Sequence, residues 1–172
     1  LNPEVAQHWL THGDIFNGYG PTECTIGSAI QRMELPIGRN PAVGRPMANM
    51  SMYILDGNLQ FVPDGVPGDV FIGGDCVARE YWNQPTLTAD RFLEDPFFVE
   101  KTGESMPRMY RTGDLGRWNA GGLIEILGRC DDQIKLRGYR IEPGEISAVL
   151  DSFPEVQGST VVAWGESEEG GI

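Results

Sequence analysis

Apolar positions in this chain follow two periods. In residues 2–11, Val5, Trp9 and Leu10 fall at helix-compatible steps and stop at the turn signal His12-Gly13-Asp14, which predicts a short helix. Residues 33–46 are punctuated by Pro36, Gly38, Pro41, Gly44 and Pro46 and read as a loop. Beyond it the pattern shortens to strands at residues 51–56 and 69–73, with turns at Asp56-Gly57 and at residues 64–68. Residues 83–92 predict a short helix entered after Pro85, with Thr86 as its cap and Pro96 as its stop. Two further strands are expected around residues 109–111 and 123–127, joined through a glycine-rich turn at residues 119–122. Ile134 and Leu136 alternate with polar neighbours as in a half-buried strand, and Gly138 breaks the alternation as a bulge would. Pro143 suits a first helical turn, and Ile146, Val149, Leu150 and Phe153 then share one face. Residues 156–164 are expected to form a last strand before an acidic, glycine-rich end.

A length of 172 residues with 40% hydrophobic content corresponds to roughly one domain with a real core. The 23 glycines and 12 prolines fit many turns and short strands. A net charge of −12 gives no electrostatic footing for a sequence-independent grip on nucleic acid or an anionic membrane. A phosphate ligand must therefore be held by local cations, backbone amides or a metal. No apolar stretch approaches the roughly 18 residues of a membrane span. With no secretory signal visible after Leu1, a cytoplasmic setting is the default, and the missing initiator Met hints at a fragment. Cys24, Cys76 and Cys130 are widely spaced and read as buried or incidental thiols.

Residues 17–23, Asn-Gly-Tyr-Gly-Pro-Thr-Glu, display an aromatic ring, a hydroxyl and a carboxylate within five residues. Gly18 and Gly20 let the backbone approach a ligand closely and Pro21 limits its freedom. Tyr19 could face a base, Thr22 could donate to a phosphate oxygen and Glu23 could offer a hard oxygen to Mg²⁺. A plain hairpin turn with an exposed tyrosine is the alternative. The dinucleotide fingerprint fails because position 23 is Glu, and no Gly-Lys-Ser/Thr phosphate loop occurs. His8 and His12 have metal-pair spacing but lack the intervening Glu of a zinc protease.

Downstream stand residues 68–74 (Gly-Asp-Val-Phe-Ile-Gly-Gly), 110–115 (Tyr-Arg-Thr-Gly-Asp-Leu) and 128–146, which open Gly-Arg-Cys-Asp-Asp-Gln. In this order the motifs resemble the adenylate-forming superfamily of acyl-CoA synthetases, luciferases and peptide-synthetase adenylation domains. The likeness covers residues 15–163, and the wording around Ala78, Tyr81, Trp82, Asn83 and residues 87–92 looks most like the peptide-synthetase branch. Glu80 departs from the glycine usual there.

The resemblance implies an α/β fold. Residues 1–130 would be the C-terminal portion of the large adenylate-forming domain, mostly its β-rich subdomain. Residues 131–172 would be a hinge and the first half of a small α+β C-terminal domain. It implies that Tyr19 stacks on adenine beside Gly20, Thr22 touches the α-phosphate, and Glu23 holds Mg²⁺; Thr22 and Glu23 are the catalytic candidates. Asp114 would take the ribose hydroxyls, a task that suits two carboxylate oxygens, and Arg129 would lie near the ribose and phosphates. Asp131 matches the hinge, Gly138 the phosphopantetheine channel, and Gly18, Ile26 and Gly27 the substrate pocket.

The implied reaction is attack of a carboxylate, most simply an amino acid's, on the α-phosphorus of MgATP, then transfer of the acyl group to a thiol. The acceptor would be phosphopantetheine on a carrier protein domain, or CoA, with neither nucleic acid nor membrane as partner. The family's phosphate loop and catalytic Lys are not in these 172 residues, so the piece alone is expected to be inactive. An acyl-CoA ligase and a noncatalytic nucleotide-binding or interaction module are the alternatives.

Overall fold

The computed structural model describes residues 1–98, 108–136, 139–162 and 164. They divide into two units, Leu1–Gly128 and Arg129–Ile172.

The first unit opens with helix α1 (Pro3–Leu10), where Asn2 accepts from the backbone N–H groups of Glu4 and Val5 and Pro3 needs no donor of its own. Strands β1 (Phe16–Tyr19), β2 (Ala29–Arg32) and β3 (Arg45–Pro46) form an antiparallel sheet in the order β1-β2-β3. The larger sheet contains β4 (Met50–Leu55), β5 (Gly68–Gly74), β6 (Phe92–Glu94), β7 (Arg108–Trp118) and β8 (Ile124–Arg129). Its order is β4-β5-β7-β6, and β8 also pairs with β7.

Alternation along β4, β5 and β7 covers both faces of this sheet. Met52, Ile54, Val70, Ile72 and Tyr110 join Cys24, Ala29, Val43, Cys76, Phe92 and Ile124 in the main core. Their neighbours Tyr53, Leu55, Phe71 and Met109 pack on the other side. Side chains that alternate faces of a pleated strand make this division possible. Because Cys24 and Ala29 belong to the main core, the small sheet and its following turn are packed against the large one. Two backbone hydrogen bonds fasten the two further: the Val43 N–H donates to the Ile124 carbonyl at 2.8 Å, and the Ile124 N–H donates to the Gly44 carbonyl at 3.0 Å.

The expected turn at Asp56 is built by its own carboxylate, which accepts from the N–H groups of Asn58 and Gln60. Helix α2 (Pro85–Arg91) begins with Pro85 as expected, but its cap position is Gln84, which makes no capping bond; Thr86 is already inside the helix. It ends at Arg91, not at Pro96, because Phe92 is drawn into β6 beside Tyr110.

In the second unit β9 (Ile134–Leu136) and β10 (Tyr139–Ile141) pair antiparallel, followed by helix α3 (Pro143–Asp151). Gly138, expected as a bulge and as part of a phosphopantetheine channel, lies outside the described residues. The last strand expected from residue 156 does not form among the described residues, since β9 and β10 pair only with each other. Ile146, Val149, Leu150 and Phe153 share the periodicity of an amphipathic helix, yet all four side chains are exposed. Among the described residues no helix is long and apolar enough to cross a membrane.

Candidate functional site

The densest motif of the sequence is split by the fold between the end of a strand and a following turn. β1 ends at Tyr19, and residues 20–28 loop back so that the Ser28 N–H donates to the Tyr19 carbonyl at 2.8 Å. Within the loop, residues Thr22–Cys24 form one turn of 3-10 helix. Thr22 is exposed at its start and Glu23 is buried, 8% exposed. Asn17 anchors the strand from below, donating to the carbonyls of Ala42 and Pro41. Gly18 has open space around it, whereas Gly20 is pressed against backbone; a Cβ there would stand 2.4 Å from the Ile26 carbonyl oxygen.

Asp114 is presented by an irregularity inside β7, not by a turn. Asp69 pairs with Leu115 and Phe71 with Arg111, so one residue of β5 faces three of β7. The Thr112 hydroxyl fills the gap, donating to the Val70 carbonyl at 2.8 Å and accepting from the Asp114 N–H at 3.0 Å. Gly113 takes φ +76°, a conformation that side chains resist. Thr-Gly-Asp is therefore a device for aiming an aspartate out of a buried strand. A glycine within a strand pattern is the sequence signal for such a bulge, but no comparable signal marks Thr112.

The bulge brings two predicted residues into direct contact: the Tyr19 hydroxyl donates to Oδ2 of Asp114. Glu23 is held from another direction. Its Oε1 accepts from the Tyr81 hydroxyl at 2.6 Å, and Tyr81 lies 3.1 Å from the hydroxyl of Tyr110. Tyr110 and Asp114 are both on β7, so the two halves of the site share one strand. Burial, then the hydrogen bonds to Glu23 and Tyr110, push the Tyr81 hydroxyl well above the usual tyrosine range. Sequence alone marks Tyr81 only as part of a family likeness, and Tyr110 only as the start of a motif. Glu80 is exposed and has no left-handed φ, so glycine is not needed there.

The turn after Glu23 is strained. Thr25 and Ile26, both β-branched, have φ of +56° and +69°. This region costs such residues about 1–2 kcal/mol each. Thr25 is held by its hydroxyl, which donates to the Cys76 carbonyl at 3.0 Å. Ile26 is 77% exposed and gains little from burial in this chain. Replacing Ile26 by asparagine, which tolerates this conformation, is expected to stabilise the chain by about 1 kcal/mol. Thermal unfolding of the 172-residue chain checks this; a lower midpoint would show that the turn is not strained by Ile26. Gly27, the other expected pocket residue, is half-buried next to it.

The second unit holds the remaining candidates. Arg129 grips Asp131 in a fork, Nε to Oδ1 and Nη2 to Oδ2, both at 2.7 Å. Both side chains are 24% exposed. The sequence suggests separate roles for the two residues and gives no sign that they pair.

Glu23 suits a hard cation, and Mg²⁺ is commonly bound through one or two carboxylates with phosphate oxygens and water completing its shell. Among the described residues no group of three or more His, Cys, Asp or Glu forms a self-sufficient metal site. A cation at Glu23 would therefore depend on a phosphate ligand. His8 and His12 stand side by side with ring centroids 5.1 Å apart, outside any such group.

Residues 1–82 match the sequence profile of the AMP-binding enzymes. That stretch belongs to the AMP-binding enzyme family. One of the linear gramicidin synthase proteins of Brevibacillus parabrevis is 49% identical over 160 residues, covering 93% of this chain and 2% of that protein. Phosphinothricin tripeptide synthetase PhsC of Streptomyces viridochromogenes is 47% identical over 166 residues, covering 96% of this chain and 15% of that one. Among solved structures, PA1221, an NRPS protein containing adenylation and PCP domains, aligns with a TM-score of 0.75 at 27% identity. The alignment covers 90% of this chain and 31% of PA1221. The α/β architecture is that of the C-terminal portion of an adenylation domain. The chain spans only a small part of the length of each of these proteins.

Proposed function

We propose that this chain is the nucleotide-binding part of an ATP-dependent ligase that activates a carboxylic acid, most simply an amino acid, as its acyl-adenylate and passes it to a phosphopantetheine thiol of a carrier protein domain. The observation that carries the reading is the contact between Tyr19 and Asp114, 95 residues apart, beside a buried glutamate tied to the same strand. That arrangement suits one adenylate. The Tyr19 ring would lie on adenine, and the Asp114 carboxylate would accept from the ribose hydroxyls. The exposed Thr22 hydroxyl at the head of its turn would donate to an α-phosphate oxygen. Glu23 would hold Mg²⁺, which when bound neutralises phosphate charge. The fold's own contribution is orientation and preformed hydrogen bonding as a carboxylate displaces pyrophosphate.

Residues 1–130 form, in this reading, the end of the large domain, and residues 131–172 form the hinge and the start of the small one. Arg129 is a ribose or phosphate contact and Asp131 the pivot. Their bidentate pair would couple rotation at the pivot to the guanidinium's position. Gly18, Ile26 and Gly27 contribute to the substrate pocket and Gly138 to the phosphopantetheine channel. The peptide-synthetase relatives favour a carrier domain over free CoA as acceptor.

The test is amino-acid-dependent ATP–pyrophosphate exchange by the full-length protein that contains this chain, run against a panel of amino and other carboxylic acids. Exchange with one or a few of them is expected. No exchange with any acid, together with no binding of an aminoacyl-sulfamoyl adenosine, would overturn the reading.

A further inference from the structure

Glu23 sits on a one-turn helix followed by strained backbone, which by itself is a poor mount for a carboxylate that must meet a nucleotide in one orientation. What steadies it is the segment from Cys76 to Tyr81. The Cys76 carbonyl accepts from the Thr25 hydroxyl, the Ala78 N–H donates to the Glu23 carbonyl at 2.8 Å, and the Tyr81 hydroxyl donates to Glu23 Oε1. Two of these contacts place the turn and the third places the carboxylate itself.

Tyr81 is in turn well fixed. Its backbone N–H donates to the Thr88 hydroxyl at 3.0 Å, and its ring packs edge-on against Phe92 with centroids 5.2 Å apart. Phe92 packs against Tyr110 at 5.0 Å. Tyr81 has one proton and commits it to Glu23, so at the 3.1 Å contact Tyr110 donates and Tyr81 accepts. Tyr110 is fully buried in the main core, on the strand that carries Asp114.

Building on the function proposed above, we infer that Tyr81, backed by Tyr110, is a positioning residue that orients the Glu23 carboxylate for the metal-bound nucleotide. The chain Tyr110 to Tyr81 to Glu23 links the glutamate's orientation to β7, so the metal-binding and ribose-binding carboxylates are registered on one rigid element.

The experiment compares the full-length enzyme with its Tyr81→Phe variant in two calorimetric titrations. One uses a non-hydrolysable ATP analogue with Mn²⁺, and the other an aminoacyl-sulfamoyl adenosine, which has no pyrophosphate and needs no metal. Loss of one donor to a carboxylate is expected to weaken the Mn²⁺-nucleotide about 5- to 30-fold. Binding of the sulfamoyl ligand should stay within about twofold, and so should the KM for the amino acid. In a Glu23→Gln background Tyr81→Phe should add little, because the two changes act on one interaction. Equal losses for both ligands, an unaltered Mn²⁺-nucleotide affinity, or losses that multiply with Glu23→Gln would each overturn the inference. Wild-type enzyme that bound neither ligand would instead overturn the functional reading on which it rests.

Discussion

Replacing Asp114 by alanine in the full-length enzyme is expected to weaken binding of an aminoacyl-sulfamoyl adenosine by about 30- to 1,000-fold. The estimate follows from losing hydrogen bonds to a charged acceptor, each worth about 1.5–3 kcal/mol. The Tyr19 hydroxyl also loses its acceptor, so the ring that would lie on adenine is no longer tethered. The two contributions separate cleanly. Tyr19→Phe keeps the ring and removes only the donor, and a loss of no more than about fivefold is expected, since the bond it breaks lies within the protein and not to the ligand. Asp114→Asn keeps the shape and one acceptor oxygen and should fall between the two. An Asp114→Ala enzyme binding within twofold of wild type would remove the ribose assignment. Thr112, whose hydroxyl supports the bulge, lies 2% exposed below the site; it acts on the presentation of Asp114, not on the ligand.

What is visible in the sequence, and what is not, divides along the distance over which each feature is determined. The strands β4, β5 and β8 and the start of β7 are legible because short apolar runs bounded by turn residues are a local pattern, and both ends of α1 carry local signals. The end of α2 is misplaced by sequence because the pull of β6 on Phe92 comes from a partner strand. The expected final strand is absent among the described residues for a similar reason: β-branched Thr160, Val161 and Val162 favour extension, but a strand exists only where another lends its hydrogen bonds. The apolar face of α3 is readable as a pattern, yet the pattern does not say that this face is exposed.

In the site, the residue types announce their chemistry individually. Their assembly is not announced. Nothing local joins Tyr81 to Glu23, 58 residues away, or Tyr19 to Asp114. Nor can spacing show that Thr25 and Ile26 are both left-handed, because β-branched residues argue against that conformation and only the surrounding contacts impose it.

Gly20→Ala is expected to abolish measurable nucleotide binding and to lower the unfolding temperature of the enzyme's adenylation region. Gly20 joins the two halves of the site, following Tyr19 at the end of β1 and preceding the turn that carries Glu23. An added methyl would meet the Ile26 carbonyl oxygen at 2.4 Å, its carbon at 2.8 Å and the Ser28 nitrogen at 2.7 Å. All three are backbone atoms, so no side-chain rotation relieves the clash. The loop must open, and the first bond to yield is the Ser28 N–H to the Tyr19 carbonyl, which closes it. Opening moves Tyr19 away from Asp114 and lifts Cys24 and Ser28, both wholly buried, out of the packing that seats the turn. A cost of about 3–5 kcal/mol is expected, in the range of severe core substitutions. Gly18→Ala serves as the control, since its Cβ would meet nothing within 4 Å. It should leave folding within about 1 kcal/mol of wild type, as surface changes usually do. Circular dichroism melting of both variants, with adenylate-analogue titration of Gly20→Ala against wild type, decides the matter: a Gly20→Ala protein as stable as Gly18→Ala and as tightly binding as wild type would mean that the loop can be widened without moving either half of the site.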